Sequence, residues 1–481
     1  MSSGSAEAWV APPADPRGGE RTVLGIVLAG LAVRLVLAAV VPVTQDEAYY
    51  ADWGRHLQLG YLDHPPLVGW LLAVPIHLLG SSTFAVRLPA VLLQAGTTLL
   101  AASLARARGG RAAAVAMALL LQATPVFSLG ATLMTPDAPL AFAWVGTLWS
   151  VERAFRRDLR WFVAGGAFLG MAALSKLTGG LLGVALLGAL LVSREGRRAL
   201  AGPWPWVGAA LAAVLASPML LWNAANGWPS FAYQASHGAR GREFSWARLG
   251  GSIGAQAGYV SPLVLALAAT AAWRTLRAGL RDPAVAALAL SALPVVAFFT
   301  VSASFTPGAL PHWPAPGWLS ATVLLCMLGV PSTRLWRWAL GIGFGSIAAV
   351  IVLVLVPLPV PQGPLDDLRG WREGAAAARA VAGDARLAVT HYIVYSFIGF
   401  SDGRSPAYVG ERRCAASFYD PAPLASGAPH LLVTVEGMDP PREALEARLG
   451  MLTPAGSFVA KDGERVVRRY RFYWLRPSPR G

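Results

Sequence analysis

The chain has 481 residues, of which 55% are hydrophobic and only 14% charged. A soluble domain carries about 25% charged residues, and here apolar runs repeatedly approach or reach the roughly 20 residues that cross a bilayer, which excludes both an ordinary soluble enzyme and a single-pass anchor. The net charge of +14, from 40 Lys and Arg against 26 Asp and Glu, would suggest nucleic acid in a soluble protein; here many arginines fall in short loops between apolar runs, where membrane orientation places them, so no nucleic-acid partner is expected.

Residues 1–21 are polar and rich in Gly, Pro and Ala and read as a disordered N-terminus. The apolar stretch from Val23 lacks a small-residue cleavage signal and reads as a retained first span. About eleven spans fit the chain, with approximate limits 22–42, 83–103, 111–129, 137–151, 161–174, 177–193, 204–222, 251–273, 284–301, 314–331 and 335–357. The fifth and sixth are short and read as a tilted pair meeting near Lys176. Arginines follow the second, fourth, sixth and eighth spans and precede the eleventh. All five loops fall on one side if the N-terminus is cytoplasmic. The opposite, outer face then receives residues 43–82, the turn at 130–136, the bend near Lys176, residues 223–250, residues 302–313 and everything after about 358.

Residues 358–481 differ from the rest. Leu387–Val394, His430–Val435 and Val466–Trp474 have strand character, and residues 441–449 read as a short helix. They predict a small α/β domain on the outer face. The cysteines Cys326 and Cys414 sit in an apolar run and in this polar tail, which argues against a disulfide framework.

The first outer loop holds Asp46-Glu47-Ala48-Tyr49-Tyr50 and Asp63-His64-Pro65-Pro66. Glu47 to Leu59 has helical propensity and aromatics suited to an interface. The prolines suit the start of a second interfacial helix running to about Leu79. A carboxylate at Asp46 can accept a proton from an attacking hydroxyl, or can merely cap a helix. Asp63 and His64 either contact substrate or fix the loop. Asp137, between Pro136 and Ala138-Pro139, is a capping acid or a charge kept at membrane depth for function. Lys176, the only lysine before residue 461, can pair with a lipid phosphate or snorkel. Arg87 has the same two readings. His312 can bind phosphate or sugar, and Trp313 can anchor the chain at the interface. The 223–250 loop offers Asn223, Asn226, Trp228, Tyr233, Gln234, His237, Arg240 and Arg242, a mixture compatible with carbohydrate and anionic lipid. No HExxH, P-loop or GxSxG motif occurs.

These pieces resemble bacterial GT-C glycosyltransferases of the broad dolichyl-phosphate-mannose–protein mannosyltransferase and aminoarabinose-transferase-like group. The resemblance rests on Asp46–Tyr50 and Asp63–Pro66, supported by Pro136–Pro139, Leu174–Thr178, Leu221–Asn223 with Asn226–Trp228, and His312–Pro316. It implies an all-α polytopic membrane fold of GT-C type, with two interfacial helices in the first outer loop and the small α/β domain appended. The implied domains are 1–21, 22–357 and 358–481. The implied enzyme takes a sugar from a polyprenyl-phosphate donor at the outer face of the bacterial inner membrane. It passes the sugar to a hydroxyl of a lipid, glycan or protein acceptor, with inversion.

By the resemblance, Asp46 is the catalytic or acceptor-orienting carboxylate, Glu47 its partner, and Asp137 the second acid of the cleft. Lys176 is the basic residue expected near the carrier phosphate; with Arg87 or His312 it can supply positive charge there. Tyr49, Tyr50, Asp63, His64, Asn223, Trp228 and Trp313 bind substrate or position loops. The scheme needs no cofactor, and the sequence leaves a divalent metal open. The rival readings are a transporter or flippase of an envelope glycolipid, although no paired repeat is visible, and a non-catalytic assembly scaffold, which gives no reason for Asp46, Asp137 and Lys176 to share one face.

Overall fold

The computed structural model describes residues 19–238, 243–329, 332–355, 368–424 and 427–475. Of the expected disordered segment 1–21, residues 1–18 lie outside them, whereas 19–21 open the first helix, Gly19–Val40; the boundary near 358, Arg240, Arg242 and the side chain of His237 also lie outside. The chain forms two compact units. The first comprises residues up to 38, residues 64–67 and residues 90–355; the second comprises residues 39–63, 68–89 and 356 onwards.

The first unit is helical. Among the described residues, five helices are long and apolar enough to cross a bilayer: Gly19–Val40, Thr83–Ala123, Trp204–Ala225, Pro283–Phe305 and Thr333–Leu355. Two bent pairs raise the number to as many as seven, Gly179–Val192 with Arg194–Leu200 and Trp246–Val260 with Pro262–Ala278. The other expected spans lie on helices that are merged, shorter or more polar. The second and third fall in Thr83–Ala123, which breaks at Gly110 (φ 72°), a backbone state that glycine adopts without Cβ strain. The third ends at Ala123, six residues before its expected limit of 129, because Pro125 starts a new short helix, Pro125–Ser128. The fourth is Asp137–Arg156, and the fifth and sixth are Trp161–Ser175 and Gly179–Val192. The eighth, expected as one continuous helix over 251–273, instead bends by 102° between Val260 and Pro262. Ser261 there has φ 78°, and Pro262 cannot donate to a continuing ladder.

An extended core of Leu, Ala, Val and Trp side chains, including Leu104, Trp144, Leu288 and Leu324, fills this unit. Several buried polar side chains of the unit are paired across helices, which offsets the cost of burying them. Trp144 Nε1 donates to Ser320 Oγ at 2.9 Å, and Trp318 Nε1 to Gln256 Oε1 at 2.9 Å. Arg34, within the first helix and 4% exposed, donates to Gln122 Oε1 at 2.6 Å and to Ser128. Small residues permit close helix packing: a Cβ at Gly166 would stand 2.0 Å from the carbonyl oxygen of Gly208.

The second unit contains helices Gln45–Arg55 and Leu67–Leu79 and a five-stranded sheet. The first helix begins with a reciprocal capping box. Thr44 Oγ1 accepts from the Glu47 amide at 3.4 Å, and the Glu47 carboxylate accepts from the Thr44 amide at 3.0 Å. Trp53 stacks on Tyr61 at 3.9 Å, and Gly69 passes against both.

The strands are β1 Arg386–Val389, β2 Ala407–Tyr408, β3 His430–Val435, β4 Leu452–Asp462 and β5 Arg465–Leu475, in the order β2-β1-β3-β5-β4. β1 pairs parallel with β2 and β3, and β5 pairs antiparallel with β3 and β4. The strand expected over Leu387–Val394 stops at Val389, because His391 caps a helix, Tyr392–Asp402, by accepting from the Ile393 amide at 3.3 Å. The expected helix over 441–449 is Arg442–Leu449. Helix Trp371–Ala382 covers one sheet face, where Trp371 lies between Phe397, stacked at 4.4 Å, and the Arg468 guanidinium at 3.7 Å. Cys326 and Cys414 are both buried free thiols.

Candidate active site

In the first unit, three helix ends bring Asp137, Lys176 and His312 together. Asp137 opens the Asp137–Arg156 helix, where the partial positive charge of the helix N-terminus favours a carboxylate. Lys176 terminates Trp161–Ser175 with an extended backbone, so its side chain leaves the helix. Its ammonium donates to both Asp137 oxygens, at 2.9 and 3.1 Å. His312 Nε2 lies 3.6 Å from Asp137 Oδ2. Burial lowers the His312 pKa, and the Lys176 charge adds to the effect against the pull of Asp137; the ring is therefore neutral at pH 7. His64, in the same unit, is within electrostatic reach of Asp137. The Lys176 side chain is 11% exposed and those of Asp137 and His312 are 29% exposed. A cation is thus held by a partly accessible carboxylate that an incoming anion could replace.

Trp313 is half-buried beside Phe299, edge to face at 6.4 Å. Asn223 is fully buried and closes a turn: its amide donates to the Met219 carbonyl and its Oδ1 accepts from the Ser230 amide. Trp228 follows in that turn at φ 61°, and its side chain is 48% exposed. The geometry thus gives Asn223 a loop-positioning part and leaves the indole open to solvent.

In the second unit, Asp46 is exposed in the first turn of Gln45–Arg55. Glu47 points the other way and is buried against Arg87, whose Nε and Nη2 lie 2.7 and 2.6 Å from its two oxygens. Arg87 also donates to the carbonyls of Val41 and Pro42 at 2.7 and 2.8 Å and is 1% exposed. Its donors are therefore directed inward, and the planar fork of arginine suits this bidentate arrangement. Tyr49 donates to Asp63 Oδ2 at 2.5 Å and accepts from the Ala415 amide at 2.8 Å. Burial and the Asp63 charge push the Tyr49 phenol well above its ordinary pKa. Tyr50 is buried edge to face with Trp53 at 4.9 Å.

Asp52, which the sequence did not single out, is a buried acid of this unit on which three hydroxyls converge. Its side chain is 4% exposed. It accepts from Tyr395 at 2.6 Å and from the hydroxyls of Tyr419 and Ser405. His56 Nδ1 lies 3.5 Å away, and its ring stacks on Tyr419 at 4.4 Å. Burial opposes the charge on Asp52, but His56 and the hydroxyls of Ser405 and Tyr395 hold its pKa down to about 2. Among the described residues, no group of three or more His, Cys, Asp and Glu side chains could hold a metal ion.

Residues 63–222 match the family model for dolichyl-phosphate-mannose-protein mannosyltransferase. The chain is 25% identical over 331 residues to the lipid A galacturonosyltransferase RgtD of Rhizobium johnstonii, an alignment covering 65% of this chain and 66%, just under two thirds, of that relative. It is also similar to crystal structures of ArnT from Cupriavidus metallidurans. With undecaprenyl phosphate bound, the match has a TM-score of 0.70 at 20% identity and covers 97% of this chain and 100% of that one. The apo form gives a TM-score of 0.65 at 20% identity, covering 95% and 99%. These similarities and the apolar helices make the chain a multi-pass membrane protein. Its fold is that of ArnT, and its sequence is similar to glycosyltransferases of the lipid A galacturonosyltransferase and protein-mannosyltransferase type.

Proposed function

We propose that the protein transfers a sugar from a polyprenyl-phosphate donor to a hydroxyl of an envelope lipid, with inversion, at the outer face of the inner membrane. The observation that carries the reading is the Lys176–Asp137–His312 cluster, a buried cation held by a partly exposed carboxylate that phosphate can displace. Similarity to an undecaprenyl-phosphate-bound ArnT and to a lipid A galacturonosyltransferase supports the donor and acceptor classes.

In this reading the acceptor oxygen attacks the anomeric carbon as the bond from that carbon to the phosphate oxygen breaks. The polyprenyl phosphate leaves as a stable anion, so no strong general acid is required. Lys176 stabilises the charge developing on the leaving phosphate, and neutral His312 contributes a hydrogen bond. Asp46 takes the proton of the attacking hydroxyl. Arg87 and Glu47 hold the helix that carries Asp46, while Asp63, Tyr49 and Tyr50 fix the first loop. Residues 1–21 are assigned to the cytoplasm, 22–357 to the membrane domain and 358–481 to the periplasm. Mass spectrometry of envelope glycolipids from a deletion strain tests the reading: one lipid species should lose a single glycosyl residue, and an unchanged glycolipid profile would overturn it.

A further inference from the structure

The Gln45–Arg55 helix has 11 residues, too few to be stable alone in water. Its direction must therefore be fixed from outside. Its start is secured by the Thr44 capping box and by the Glu47–Arg87 pair. Its last turn carries Asp52, on which three hydroxyls converge, from Tyr395 and Ser405 and from Tyr419. All belong to the same compact unit. Arg55 strengthens the same end, with Nη1 3.7 Å from Asp52, and it also donates to the Gly399 carbonyl at 3.3 Å and to Ser81 Oγ at 2.5 Å. A second tie, from Tyr49 to the Ala415 amide, lies one turn earlier. The partners of Asp52 lie more than 340 residues along the chain. Such a buried polar network has high stakes: fully satisfied, it rigidifies its surroundings.

We propose that Asp52 is a positioning residue for the transfer reaction, fixing the Gln45–Arg55 helix to residues 395–419 and thereby fixing Asp46. The inference rests on the role given to Asp46 above. It assigns to the C-terminal segment an indirect part in catalysis, through the orientation of Asp46 rather than through contact with the sugar. Asp46 precedes Asp52 by less than two helical turns, so a tilt of the short helix at its far end displaces the carboxylate. Misplacement by about 1 Å can cost about a hundredfold in rate.

The test is a double-mutant cycle on the full-length protein in nanodiscs, with single-turnover transfer as the readout. Asp52→Ala should lower the transfer rate at least tenfold and leave the Kd for undecaprenyl phosphate within twofold. In an Asp46→Asn background, Asp52→Ala should cause no further loss, because both act on one proton transfer. A purely structural role would instead give independent, multiplying losses, or a change in carrier affinity, and either would overturn the inference. Tyr395→Phe with Tyr419→Phe removes two donors while keeping both rings, and should reproduce the rate loss should Asp52→Ala fold poorly. Full activity of Asp52→Ala or of the double Tyr variant, beside an inactive Asp46→Asn, overturns this inference alone. Full activity of Asp46→Asn overturns both it and the role of Asp46.

Discussion

The Lys176 ammonium stands 2.9 Å from one oxygen of Asp137 and 3.1 Å from the other, although 39 residues separate them in the chain. In the proposed reaction this carboxylate competes with the carrier phosphate for the Lys176 cation. The two partners should therefore respond oppositely to substitution. Lys176→Ala should weaken undecaprenyl phosphate binding by about tenfold or more, the equivalent of about 1.4 kcal/mol. Asp137→Asn should leave that affinity unchanged or tighten it, even while transfer falls. Calorimetry on the purified variants checks the pair, and equal weakening by both would contradict the competition.

Arg87 and Glu47 predict a stability effect of a different size. Their exposures are 1% and 0%, and removing one partner strands a buried charge, at a cost of about 3–5 kcal/mol. Arg87→Ala should thus markedly lower the thermal midpoint in detergent, and Arg87→Lys should recover only part of it because the bidentate fork is lost. An unchanged midpoint combined with lost carrier binding would instead assign Arg87 to the phosphate.

The sequence made the two helices between residues 43 and 82 legible through propensity and the Pro65-Pro66 pair, and they stand at Gln45–Arg55 and Leu67–Leu79. Loop charge and apolar runs located most helices of the first unit. They did not disclose the break at Ser261, where the conformation of one residue and the proline after it outweigh an uninterrupted apolar run. Within the site, Asp137, Lys176 and His312 stood out as isolated polar residues beside apolar stretches, but their mutual contact depends on the packing of three separate helix ends. Asp52 did not stand out, since one acid in a polar, aromatic helix resembles a solvated face. What distinguishes it are tyrosines more than 340 residues away, a pairing that local periodicity does not encode.

The Asp52–His56 contact gives a pH signature. Burial disfavours the His56 cation, yet the hydrogen bond and charge of Asp52 outweigh it and raise the pKa above its ordinary value. A raised histidine stabilises the fold fully below its unfolded pKa of about 6.5, and the contribution fades as pH rises through the folded value. The Asp52 contribution has the opposite sign: it is present above the unfolded value of about 3.8 and is lost only as pH falls towards about 2. The melting-temperature difference between the protein and His56→Gln should therefore be largest near pH 6 and shrink by pH 8.5. A difference that grows over that interval would contradict the assignment.

Close packing of helices Trp161–Ser175 and Trp204–Ala225 depends on glycine. The Cβ of an alanine at Gly166 would meet the Gly208 carbonyl oxygen at 2.0 Å, so the helices must separate. Gly166→Ala should destabilise the membrane unit by about 1–3 kcal/mol, seen as a lower midpoint in thermal unfolding. The same substitution at Gly180, where no neighbouring atom lies within 4 Å, should be tolerated, and equal effects at both positions would count against a steric cause.

In the proposed reaction this chain breaks the bond between a sugar and its polyprenyl phosphate as Asp46 acts on an acceptor hydroxyl. Purified protein in proteoliposomes with radiolabelled polyprenyl-phosphate sugar and lipid A-type acceptor tests it most directly. Label should appear on the acceptor together with equimolar free polyprenyl phosphate, and both should be lost in Asp46→Asn. Label that crosses the bilayer still attached to its carrier, or full transfer by Asp46→Asn, would contradict it.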